Sequence, residues 1–130
     1  MAGFSDYLED KVLDHVFGGT AYTAPTTHYV ALYTVAPTDT GGGTEVSGGA
    51  YARQTSTFTV SGTSPTTATN AAAVEYPTAT ADYGTVVAVG IVDALTSGNL
   101  LAYANLDTSK VVSSGDVFRF DAGDLDITLA

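Results

Sequence analysis

No cysteine and no tryptophan occur in the 130 residues, and only four positions are basic: Lys11, Arg53, Lys110 and Arg119. Without cysteine, neither a disulfide framework nor a thiolate metal site can form. The four cations face 14 acidic residues, for a formal net charge of -10. Such a surface repels phosphate, so the sequence predicts no nucleic-acid partner. No stretch approaches roughly 18 uninterrupted apolar residues, and the first residues lack the basic segment and apolar run of a signal peptide. The expectation is a chain made in a reducing compartment that takes no membrane partner.

What is present points to a β fold. The chain is 45% hydrophobic, with 8 Tyr and 5 Phe, which is too apolar for a solvated acidic tail. Thr occurs 21 times and Gly 14 times. Thr is β-branched and suits a half-exposed pleated surface. The length fits one domain over residues 1–130 with a single core. The predicted class is mainly β: an antiparallel β-sandwich or barrel-like domain with one N-terminal amphipathic α-helix.

That helix is expected over about residues 5–17. Phe4, Leu8, Val12, Leu13, Val16 and Phe17 recur at helical spacing and form one stripe. Ser5 or Asp6 can cap the start, Asp6 and Glu9 have capping-box spacing, and Gly18 and Gly19 end the helix. A helix this short is marginal alone in water, so its stripe must dock. Two surfaces are open: its own β domain, or a neighbouring subunit.

Strands are expected from about residue 28 to residue 129. HYVALYT (His28 to Thr34) is apolar on both sides and belongs near the middle. TVVAVGIVD (Thr85 to Asp93) is the most apolar run and the expected central strand; Gly90 within it implies a bulge or a close approach. TSGN turns it into NLLAYANL as a hairpin. Tyr51 to Val60 reads as one half-exposed strand, SGTSPTTATN as a loop, and Ala71 to Pro77 as a short strand stopped by proline. SKVV, VFRF and LDITL supply two or three further short strands around the turns SSGD and DAGD. Ala36 to Ala50, with five Gly and one Pro, reads as a long loop, of the kind that is often functional.

Little of this carries chemistry. Asp116, Asp121, Asp124 and Asp126 could offer oxygens to a hard cation, but their spacing matches no calcium loop and suits solvated turns. Glu75 is the only carboxyl inside an apolar strand segment, and alternation places it outward between Val74 and Tyr76. His15 and His28 have no partner at zinc spacing, and no GxSxG-type elbow is present. No catalytic, metal or cofactor residues are therefore assigned, and the expected protein is not an enzyme. Arg53 is expected to pair with a carboxylate. Leu8, Val12, Val16 and Phe17, with Tyr22, Tyr51 and Tyr83 at loop edges, are the candidate interface.

The segments SDYLEDKVLDHVFGGTAYTAP, HYVALYTVAPTD, GGAYARQTSTF, AAVEYPTATADYGTVVAVGIVDA, SGNLLAYANL and VSSGDVFRFDAGDLDITL together resemble a family of small tailed-bacteriophage virion proteins often labelled tail fibre. The resemblance implies a structural protein of the virion, assembled in the host cytoplasm. A fibre needs length from repeats or a coiled shaft, and neither pattern is present. The first expectation is accordingly a capsid decoration or cement protein, its acidic surface outside the shell, bound to the major capsid protein as a homo-oligomer, a trimer foremost. The alternative is a tail fibre, collar or receptor- or glycan-binding tail module with tail proteins as partners, and a small hydrolase ranks last.

Overall fold

His28–Val35 alternates so that Val30 and Leu32 project to one side and Tyr29, Ala31 and Tyr33 to the other; from Val30 to Tyr33 all are buried. A strand covered on both faces must lie inside a sheet. In the computed structural model, which describes residues 3–63 and 65–129, it does. In chain order the elements are β1 (Gly3–Phe4), α1 (Asp6–Leu13), a π-helical turn (Asp14–Gly18), β2 (His28–Val35), β3 (Thr44–Glu45), β4 (Gln54–Ser56), β5 (Phe58–Ser61), β6 (Thr66–Asn70), β7 (Val74–Glu75), β8 (Gly84–Val92), β9 (Leu100–Val112), β10 (Arg119–Phe120) and β11 (Asp126–Leu129).

The main sheet has the order β1-β9-β8-β2-β3, and β4 also pairs with β2. A two-stranded sheet (β10-β7) and a three-stranded sheet (β11-β6-β5) complete the β structure. All pairings are antiparallel. Among the described residues no sheet closes into a barrel. As expected, β8 is central and forms a hairpin with β9.

The register sorts the core. Val30 opposes Ile91 and Leu32 opposes Val89, and these four share a cluster with Val74, Tyr76, Phe118, Phe120 and Leu125 from the smaller sheets and their connections. Tyr76 is fully buried and its hydroxyl donates to the Val30 carbonyl at 2.7 Å. Its ring stacks on Tyr51 at 5.9 Å and meets Phe118 edge-on. The opposite face of the main sheet carries Ala31, Tyr33, Ala88 and Val92, with Leu100 packed against them.

Several expectations need correction. Residues 66–70, assigned to a loop, form β6, because Thr-rich sequence pairs well on both edges when it lies between two strands. Tyr51 to Val60 is not one strand: it breaks at Thr57, β4 joining the main sheet and β5 the three-stranded one. The SKVV segment is the end of the 13-residue β9, not a separate strand. Gly90 lies between the two irregularities of the β8–β9 ladder rather than at either, and meets the close-approach expectation instead. A Cβ there would stand 2.8 Å from Tyr33 Cε1 and 2.9 Å from Leu100 Cδ1. The loop from Ala36 to Ala50 is partly anchored, with β3 in the main sheet and Val46 buried.

The helix begins where its capping chemistry puts it. Ser5 is extended (φ -74, ψ 161), accepts from the Leu8 N–H at 3.3 Å and donates to the Leu100 carbonyl. Its backbone N–H bonds the Leu101 carbonyl at 2.8 Å, so the cap also hangs the helix on β9. Gly19, at φ 76, ends the π-helical turn in the left-handed conformation.

Candidate functional site

Two surface features stand out: a polar cavity beside the start of α1, and an apolar knob at its other end. The cavity, about 630 Å³, is bounded by Ser5 to Tyr7, the glycine turn at 41–43 and the β8–β9 turn, over Tyr33, Val92 and Leu100.

Its wall is an ion pair. Arg53 Nε donates to Glu45 Oε2 and Nη2 to Oε1, both at 2.8 Å. Nη1 donates to the carbonyls of Ala94 and Ser97, also at 2.8 Å each, tying β3 to the β8–β9 turn. The Tyr51 hydroxyl donates to Glu45 Oε2 at 2.6 Å and accepts from the Leu32 N–H at 3.0 Å. Burial raises the Glu45 carboxyl, but the hydrogen bonds from Arg53 and Tyr51 and the Arg53 charge outweigh it and hold the group below its ordinary value. Burial, then the bond to Glu45, pushes the Tyr51 phenol far up. Tyr33 is raised by burial and by the nearby Glu45 charge, partly offset by Arg53. Both phenols therefore stay neutral hydrogen-bond donors. Asp39, one of the lining residues, accepts through its carboxylate from the Tyr103 hydroxyl.

The tyrosines selected from the sequence as interface candidates are buried or half-buried, and of the three Tyr51 alone reaches the cavity wall, through its bond to Glu45. Tyr83 is buried, edge-on to Tyr51, with its hydroxyl bonded to the Pro77 carbonyl at 3.1 Å. Tyr51 is half-buried inside the aromatic core. Tyr22 is half-buried, edge-on to Tyr7 at 6.4 Å, and its backbone N–H bonds His15 Nδ1. All three sit beside glycine- or proline-bearing segments, where sequence alone does not show that the chain folds back over the ring.

The helical stripe divides. Leu8 packs against the core and Val12 is half-buried. Leu13, Val16 and Phe17 stay outside, at 59%, 60% and 82% exposed. Docking of the stripe on its own domain, one of the two surfaces open to it, therefore stops at the second turn. The chain widens into the π-helical turn there, and these three side chains face solvent.

The C-terminal aspartates and Glu75 have structural partners. Asp116 accepts from the Ser113 N–H and Asp124 from the Asp121 N–H, both at 2.9 Å, closing turns. Asp121 pairs with Arg119 and Asp126 accepts from Thr69, each at 2.8 Å. Glu75 points outward and pairs with Arg119 at 3.3 Å. Among the described residues no three His, Asp or Glu side chains converge in metal-binding geometry. Sequence reasoning singled out Arg53 but not Tyr33, Asp39 or Glu45. The one available signal was the scarcity of cations, which makes the nearest carboxylate in TEV a natural partner for Arg53.

No curated protein matches the chain. A protein-family model described as Podophage GP4 fiber I protein gp80 matches residues 3–128, nearly the whole length and every element from β1 to the end of β10 and most of β11, and the chain belongs to that family, a family of bacteriophage virion structural proteins of the fibre type.

Proposed function

We propose that this protein is a fibre component at the tail of the phage particle, rather than a decoration protein on the head. The observation that carries the reading is the family match over residues 3–128, whose description names a fibre protein. The acidic surface that favoured the head exterior suits any outer position equally. Short β units can build or cap a fibre when copies stack, so the lack of a repeat within the chain does not weigh against it.

In this reading the apolar knob of Leu13, Val16 and Phe17 is the attachment point to a neighbouring virion protein. Exposed apolar groups three and four residues apart share one side of a helix and mark a contact surface. Copies associate symmetrically, a trimer being the favoured arrangement, so that weak individual contacts add. The role is non-enzymatic.

Density for this protein on the intact particle tests the proposal. A reconstruction, or gold-labelled antibody, is expected to mark the tail. Labelling spread over the facets of the head would overturn the fibre reading and restore decoration.

A further inference from the structure

We propose that the cavity beside the start of α1 is a socket for an arginine side chain of a neighbouring virion protein, with Asp6, Asp39 and the Tyr33 hydroxyl as its acceptors. The Asp6 N–H bonds the Asp39 carbonyl at 2.9 Å, which fixes two acidic residues side by side on the cavity wall. The Asp6 carboxylate bonds no described residue, and Asp39 uses one carboxylate oxygen, toward Tyr103. Glu45 and Arg53 cancel through their paired contacts, so the charges of Asp6 and Asp39 are left over. Lys11 is held over the Tyr7 ring at 5.6 Å and does not line the cavity. A separate observation points to a ligand. Tyr33 is 6% exposed, its ring lying across Gly90. Its hydroxyl bonds no described residue, yet among the described residues no side-chain oxygen or nitrogen sealed from solvent lacks a partner, so that hydroxyl opens onto the cavity. A nearly buried phenol oxygen with an unused acceptor site is a ready partner for an N–H group.

The groups left unmet are acceptors, and the donors at the rim are spent: the Asn99 amide bonds Asp93, and the Thr40 hydroxyl bonds Thr38. The occupant must therefore bring donors and positive charge. Among the described residues no three carboxylates or histidines converge as a metal ion needs, so a wider, organic cation suits the site. Guanidinium fans five N–H donors across a plane and can reach separated acceptors, whereas an ammonium gathers its donors at one point. The methylene stem would lie on the apolar floor of Val92 and Leu100, and a cavity of about 630 Å³ admits the whole side chain. The arginine cannot come from a second copy in this fold, because Arg53 is held by Glu45 and two carbonyls and Arg119 by Glu75 and Asp121. A chain of net charge -10 gains most from a different, basic neighbour. The inference does not depend on whether the protein sits at the tail or on the head.

The test is a titration of the isotope-labelled full chain, followed by amide NMR at low salt. The probes are N-acetylarginine amide, the corresponding lysine and citrulline amides, and calcium chloride. The arginine probe is expected to shift the amides of Asp6, Gly42, Gly43 and Asn99 at millimolar concentration. Citrulline, its neutral isostere, is expected to bind about tenfold more weakly, and lysine to fall between the two. Asp6→Asn and Tyr33→Phe are each expected to weaken arginine binding about threefold to tenfold at an unchanged melting temperature. If Tyr33→Phe melts early, Asp6→Asn decides. No local response to arginine, an equal response to citrulline, a stronger one to lysine or calcium, or full binding by the folded variants would overturn the proposal. Particles test the source of the arginine. Asp6→Lys that melts with the parent, supplied together with it, is expected to be depleted at least about threefold from purified particles by quantitative mass spectrometry. Equal incorporation would overturn docking on a neighbouring protein.

Discussion

Arg53 grips Glu45 through two parallel contacts of 2.8 Å, with side-chain exposures of only 10% and 26%. Fork-on-fork geometry of this kind is stronger than a single charged hydrogen bond, and removing one partner leaves the other charge half-buried. Arg53→Ala is therefore expected to destabilise the fold by about 2 to 3 kcal/mol, somewhat below a fully buried pair because Glu45 keeps some water. Chemical denaturation of the variant against the parent measures it, and a loss under about 0.5 kcal/mol would mean the pair is no more than a surface bridge.

The same pair sets an acid response. Glu45 titrates lower in the folded chain than its ordinary value of 4.5. Its contribution is thus fully present above the unfolded value and is lost as pH falls through the lower folded one. Stability measured from pH 6 down to about pH 3 is expected to fall less steeply in Glu45→Gln than in the parent. Parallel slopes would show that the acid sensitivity lies in other carboxylates.

Asn70 is the polar pin of the C-terminal half. It is 2% exposed; its amide donates to the carbonyls of Ala72 and Asp121, and its oxygen accepts from the N–H groups of Gly123 and Leu125, all within 2.9 to 3.0 Å. Every donor and acceptor of the side chain is used. Asn70→Ala leaves the buried Leu125 N–H without its partner and removes three further bonds, at the more exposed Ala72, Asp121 and Gly123, of which the Gly123 N–H keeps the Asn70 backbone carbonyl; it is expected to cost about 2 kcal/mol. Hydrogen exchange should rise first at Gly123 and Leu125, and uniform exchange across the chain would argue against a local pin.

Asn70 also marks where the sequence stops being legible. Strands β2 and β8 and the β8–β9 hairpin could be read because long apolar runs with turn residues between them leave few alternatives. The strand around Asn70 could not, because TTATN has the composition of a loop and becomes a strand only through partners on both sides. The Ser5 cap and the Gly19 stop were readable as local chemistry. Tyr83 and Tyr51 were not, since the chain that covers them is remote in sequence. The cavity was hidden for the same reason: Tyr33, Glu45, Asn99 and Ser5 come from four separate segments.

Gly90 gives a further test of that convergence. A methyl group there would need to displace the edge of the Tyr33 ring and the tip of Leu100. The Leu100 tip can rotate away, but the ring has less freedom, so Gly90→Ala is expected to cost about 1 to 3 kcal/mol. The Tyr33 ring resonances should move in the NMR spectrum. Unchanged stability and ring shifts would mean the main sheet opens there more easily than its register implies.

The helix offers the sharpest contrast, because its stripe is half used. Leu8 packs on the core while Phe17 is 82% exposed. Leu8→Asp puts a charge against apolar neighbours and is expected to destabilise the fold by about 2 to 4 kcal/mol, whatever the partner. Phe17→Ser removes nothing that the isolated chain packs, so its stability should stay within about 0.5 kcal/mol of the parent. If the knob of Leu13, Val16 and Phe17 is the attachment point, Phe17→Ser should nevertheless be depleted from assembled particles when both forms are supplied together. Quantitative mass spectrometry of purified particles reads the ratio directly. Equal incorporation, with Val16→Ser and Leu13→Ser equally neutral, would move the attachment surface away from the helix and leave its exposed end without a role in assembly.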